Sequence, residues 1–147
     1  WIADLSFMFF GDKTSVDIHG NTIVKVFDSN SNSELQPNIV LFGGKLIVQM
    51  EGNHNQSFRL DAPSSTAIAS NAHFMVEYRS DMIFENLSYS MFTLLGGEIE
   101  IQNLVSEIHI NLKRGETVMS TLEGKFLQLD TFRNQMFIES TLRNRKR

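Results

Sequence analysis

Side chains able to do acid–base or metal chemistry are few and scattered in this sequence. Its 147 residues include four histidines, His19, His54, His73 and His109, and no cysteine. A disulfide framework, a cysteine-based zinc site and a thiol nucleophile are thereby excluded. His19 follows Asp17 at a spacing of two, which on a strand puts both on one side. A metal site there would need a further ligand from a neighbouring strand. His109 lies between Glu107 and Asn111 and reads as part of a polar cross-strand ladder. His54 sits in Gly-Asn-His-Asn and reads as a solvated loop residue, while His73, next to Phe74, reads as outward-facing. Glu98 and Glu100 share one side of a strand. Glycoside hydrolysis needs two carboxylates opposed across a cleft, so neighbouring acids on one strand read as solubility and edge protection. The sequence has no Gly-x-Ser-x-Gly elbow and no His-Glu-x-x-His pair. The pairs Gly43-Gly44 and Gly96-Gly97 lie between apolar runs of strand type, without the helix N-terminus that a phosphate loop requires. The expectation is a protein that is not an enzyme, with no cofactor and no metal.

Chemistry of contact is better represented. Phe7, Phe9 and Phe10, with Met8, form a run that is apolar on both faces of a strand, as does Ile39-Val40-Leu41-Phe42. Such a strand is buried between layers or against a partner. Four of the last five residues are basic: Arg143, Arg145, Lys146 and Arg147. Removing those four charges from the net −4 leaves −8 on residues 1–142. An acidic body disfavours nucleic acid, whose phosphates are bound by neutralisation with Lys and Arg. The tail reads as a solvated terminus or as a contact for an acidic protein or membrane face. Phe7, Phe9, Phe10, Arg143, Arg145, Lys146 and Arg147 are the candidate partner contacts.

These residues need elements to hold them, and the elements are strands. Alternation of period two recurs along the chain, as in Ile108-His109-Ile110-Asn111-Leu112 and Phe74-Met75-Val76-Glu77-Tyr78. Strands are expected near 4–10, 16–18, 22–27, 38–42, 45–50, 56–61, 74–78, 82–86, 89–95, 98–102, 108–112, 117–121 and 125–130. Gly20-Asn21, Gly43-Gly44, Gly96-Gly97, Gly115-Glu116 and Gly124-Lys125 separate apolar runs and read as tight turns. Longer loops are expected at 28–38 and 51–56. Residues 39–49 (IVLFGGKLIVQ) resemble residues 92–102 (FTLLGGEIEIQ) at an offset of 53, with a weaker copy at 121–129. Repetition of strand, Gly-Gly turn and strand suggests stacked hairpins. The expected fold is all-β with essentially no helix, an elongated solenoid-like or sandwich-like stack of short antiparallel hairpins. One domain over 1–142 and a basic tail over 143–147 fit the length. No apolar run approaches the ~18 residues of a membrane span. Trp1 stands without an initiator Met, which suggests a mature or excised fragment.

Residues 39–127 resemble the FecR-like domain of bacterial ferric-citrate-type regulators. The first hairpin pattern is matched by Leu41, Gly44, Leu46 and Val48, and the following strand by Phe58, Leu60 and Pro63. Ala67, Ala69 and Asn71-Ala72-His73-Phe74-Met75-Val76 stand where the family has small residues and then Gly-Thr-x-Phe-x-Val. Leu94, Gly97, Ile99 and Ile101 match the second hairpin, and Leu112 with Gly115-Glu116 the closing segment. Asn71-Ala72 departs from the family Gly-Thr, but asparagine still tolerates the left-handed conformation. The resemblance makes Gly43, Gly44, Asn71, Gly96, Gly97 and Gly115 the structural turns. It implies a bacterial, periplasmic or otherwise extracytoplasmic domain whose partners are other envelope proteins, receptor or machine subunits, with self-association as a further option. It implies a protein-interaction or scaffold role in an envelope complex or transmembrane signalling protein. Any membrane contact would come from parts outside this chain. The alternative is a lipid or glycolipid carrier with an open β-jelly-roll groove.

Overall fold

The structure, a computed structural model, describes residues 2–10, 14–27, 37–50, 57–80 and 88–128, with the backbone path alone for 2–10. These residues form nine strands in one open sheet and no helix. The strands are β1 (Ile2–Phe10), β2 (Thr14–Val26), β3 (Ile39–Met50), β4 (Phe58–Ala62), β5 (Ser65–Arg79), β6 (Tyr89–Asn103), β7 (His109–Leu112), β8 (Thr117–Thr121) and β9 (Phe126–Gln128). Pairing is antiparallel throughout except between β3 and β4. The all-β expectation holds. The expected strand at 82–86, the residues 28–36 and 51–56 of the two long loops, and the tail lie outside the described residues.

The strands are longer than the turn signals imply. Gly43-Gly44 lies inside β3, Gly96-Gly97 inside β6 and Gly20-Asn21 inside β2, so these pairs are not hairpin turns. Each marks a bulge, where an extra residue bends a strand without ending it. Core-facing positions on β3 run Ile39, Leu41 and then Leu46, Val48, Met50. The phase slips by one residue at the glycines, and the bulge absorbs the slip, so the apolar stripe stays inside. On β6 the same slip separates Phe92 and Leu94 from Ile99 and Ile101; on β5 it separates Ala67 and Ala69 from Ala72, Phe74 and Val76. Asn71 (φ 47°) carries the β5 bulge in the left-handed conformation expected of it.

The bends divide the sheet into two halves. One contains the second part of β2, the start of β3, β4, the start of β5, the end of β6 and β7. The other contains the start of β2, the end of β3, the end of β5, the start of β6, β8 and β9. Inward residues of both halves form one core, in which Phe74, Phe92, Ile18, Leu41, Leu46, Leu60, Leu94 and Ile101 are fully buried. The internal repeat is visible as two bent pairs, β2–β3 and β5–β6. In each, the residue after a left-handed Asn (Thr22 after Asn21, Ala72 after Asn71) lies against a left-handed Gly (Gly44, Gly97) on the next strand.

Gly115 is also left-handed (φ 86°), but it joins two strands that do not pair with each other. β7 and β8 lie end to end along one side of β6, with Gly115 N–H donating to Leu94 C=O at 2.8 Å. The third repeat copy is the real hairpin: β8 and β9 pair across a turn containing Gly124 (φ 98°).

Candidate functional site

Chemistry-bearing residues of the sequence do not converge. His19 is half-buried on the outer side of β2, and His73 is half-buried on β5. His19 Nε2 is buried with no hydrogen-bond partner among the described residues. Burial holds its imidazole below the usual value; Lys45 adds to this and Glu77 opposes it. His73 is lowered by burial as well. Lys45 pairs with Glu77 across β3–β5, and burial lowers its ammonium while Glu77 raises it. Arg79 Nε donates to Glu77 Oε1 at 3.1 Å. Exposed His109 forms the expected polar ladder, with Nδ1 2.8 Å from Glu100 Oε1. Glu98 and Glu100 are both exposed on β6. His54 lies outside the described residues. Among the described residues no three His, Asp or Glu side chains are grouped as a metal site would need.

The candidate contact residues are divided. β1 forms one edge of the sheet, with Phe7 opposite Asp17, Phe9 opposite Ser15 and Phe10 opposite Thr14. The side chains of these phenylalanines, and all of Arg143, Arg145, Lys146 and Arg147, lie outside the described residues.

A second contact surface, which the sequence reading missed, stands at the corner between β6 and β7. Leu104, Val105 and Ile108 are 48%, 57% and 53% exposed there, an unusual cluster for large aliphatics. The corner is rigid because Asn103, fully buried, hydrogen-bonds in every direction. Its Oδ1 accepts from Val105 N–H at 2.9 Å and Ser106 N–H at 3.1 Å. Its Nδ2 donates to Ser120 Oγ at 2.8 Å and to Thr121 C=O at 2.9 Å. Ser64, in the β4–β5 turn, extends the cluster to Ser90 Oγ at 2.7 Å and Ser120 C=O at 2.9 Å. Leu104 N–H then donates to Ser64 C=O at 2.9 Å. Among the described residues the partners of these hydroxyls are other hydroxyls, the Asn103 amide and backbone carbonyls, so the cluster fastens three segments together. The sequence signal was Asn103-Leu-Val-Ser, three apolar residues within the run 104–108 with nothing for that run to pair with. The alternation of 108–112 hides it, because Ile108 reads there as a strand residue.

No family model and no curated protein matches the chain. Two crystal structures of a candidate anti-sigma factor from Parabacteroides distasonis share its fold, each with a TM-score of 0.67 over 86% of this chain. Sequence identity is 15% in one and 14% in the other, and the match spans 55% of each of those chains. What is shared at that identity is the all-β fold.

Proposed function

We propose that this chain is a non-enzymatic protein-interaction domain of FecR-like type, placed outside the cytoplasm in a bacterial envelope signalling protein. The observation that carries the reading is the fold likeness to the candidate anti-sigma factor, over most of this chain and about half of that one. The FecR-like turn pattern supports it, since Gly44, Asn71 and Gly97 all take the left-handed conformation at the matched positions. The exposed corner of Leu104, Val105 and Ile108 offers an apolar contact on a rigid support. Phe7, Phe9 and Phe10 and the basic tail remain proposed contacts of the same domain.

The carrier alternative gains no support. Phe74, Phe92, Leu94 and Ile101 are fully buried between the inward faces, where a carrier of this kind would need an open groove.

Removing this domain from the full gene product in its bacterium tests the proposal by transcript profiling. A coherent set of promoters responding to the deletion is expected. A transcript profile identical to the parent strain, or an alkaline phosphatase fusion to the domain that is expressed but inactive, would overturn it.

A further inference from the structure

β7 is an open edge of the sheet among the described residues. It pairs with β6 through four residues and with no other described strand. Unprotected edges carry a row of unpaired backbone groups, and proteins ordinarily blunt them with charge, proline or a bulge. β7 reads His109-Ile110-Asn111-Leu112, with no proline and no bulge and with His109 and Asn111 exposed, and its ionic contact, His109 with Glu100, is made to β6. Parity fixes which groups are free. Asn103 N–H donates to Ile108 C=O at 3.0 Å, so Ile110 and Leu112 turn their backbone groups to β6 in the alternation of an antiparallel pair. The N–H and C=O of His109 and Asn111 therefore point away from the sheet.

We propose that two copies of the chain associate through β7, antiparallel and two-fold symmetric, with His109 of each opposite Asn111 of the other. This register places the outward groups of His109 and Asn111 in hydrogen-bonded pairs and puts Ile110 opposite its own copy on the axis. Side chains then agree with backbone. Ile108, Ile110 and Leu112 share one side of the strand, and Ile110 already packs against the core while half-exposed. Pairing lays the 53%-exposed Ile108 over Leu112 of the second copy, which joins the two cores across the axis. Charge is self-complementary in the same register: Glu107 stands at one end of β7, Lys113 and Arg114 at the other, all three exposed. Antiparallel pairing brings each Glu107 to the basic end of the second copy, twice by symmetry, and opposite charges on adjoining strands stabilise the pair. So short a strand implies a weak, micromolar dimer. This association stands on the edge geometry alone and does not depend on the signalling role proposed above.

Sedimentation velocity on the intact 147-residue chain over a concentration series tests it. A reversible monomer–dimer equilibrium is expected. Asn111→Pro deletes an N–H that β6 does not use and should leave the protein folded and monomeric. Glu107→Lys should weaken the dimer about tenfold by opposing like charges at both ends, and Glu107→Lys with Lys113→Glu should restore it. The charge series decides the matter if the proline variant does not fold. A wild-type chain that stays monomeric up to about 1 mM, a dimer indifferent to Asn111→Pro, or a double variant no tighter than the single one would overturn the proposal. A monomer whose β7 edge captures a different protein counts against self-pairing in the same way.

Discussion

Gly97 of β6 lies against Asn71 and Ala72 of β5 in a two-against-one bulge, so close that a Cβ on Gly97 would stand 2.6 Å from Ala72 Cα. Gly97 has φ +80°, whereas nothing lies within 4 Å of a Cβ placed on Gly96. The same contrast separates Gly44 from Gly43: a Cβ on Gly44 would stand 2.5 Å from Thr22 Cα, and Gly43 has open space. Thr22 completes that bulge, its Oγ1 accepting from Lys45 N–H at 3.0 Å and donating to Lys45 C=O at 3.2 Å.

Within each glycine pair, therefore, the two residues should respond unequally to alanine. Gly44→Ala and Gly97→Ala should each destabilise by about 2 kcal/mol or more, from the left-handed backbone and the backbone collision together. Gly43→Ala and Gly96→Ala should be within about 0.5 kcal/mol of wild type. Urea unfolding of the four variants reads the difference. Equal losses within a pair would mean that the bulge does not depend on its second glycine.

Asn103 should matter out of proportion to its size. Asn103→Ala strands Val105 and Ser106 N–H groups and removes both donors to the Ser120–Thr121 segment. A loss of about 2–4 kcal/mol is expected from several buried partners left unsatisfied. Hydrogen exchange at Val105 and Ser106 should accelerate in that variant more than exchange in β3. A uniform change across the protein would instead indicate a simple global effect.

Stability should fall on mild acidification. His19 and His73 have folded-state values below the usual 6.5, so the unfolded chain binds their protons first as pH falls. The stabilisation is complete above pH 6.5 and is lost as pH drops through the lower folded values. His19→Gln should flatten this slope below pH 6.5 in denaturant titrations. A slope unchanged in both His19→Gln and His73→Gln would assign the acid sensitivity to other groups.

The corner aliphatics should be separable from folding. Val105→Ser and Leu104→Ser shorten side chains that are about half exposed, so stability should move by no more than about 1 kcal/mol. Recovery of protein partners on the immobilised domain, as the proposed interaction role requires, should drop severalfold. Full recovery with the double variant would remove this corner from the contact surface.

Much of the fold was legible in the chain itself. Alternation in segments such as 74–78 and 108–112 determines strands, and the absence of cysteine leaves no disulfide to supplement core packing and hydrogen bonds. The left-handed positions were legible as well, because only glycine and asparagine take that backbone cheaply. What those positions do was decided by tertiary structure. A two-residue hairpin at Gly43-Gly44 would pair Leu41 with Leu46 on one face, and a one-residue bulge inside a continuous strand also keeps Leu41 and Leu46 on one face. The apolar pattern is identical in the two cases, so local sequence cannot choose between them. The choice falls to pairing with distant segments: β2 and β5 run alongside the second half of β3, and β2 and β4 alongside the first. The candidate contact surface follows the same rule. Leu104, Val105 and Ile108 read as ordinary strand and turn residues until Asn103 is anchored by Ser120, seventeen positions later. Exposure and edge position are properties of the assembled sheet, and only long-range hydrogen bonds create them.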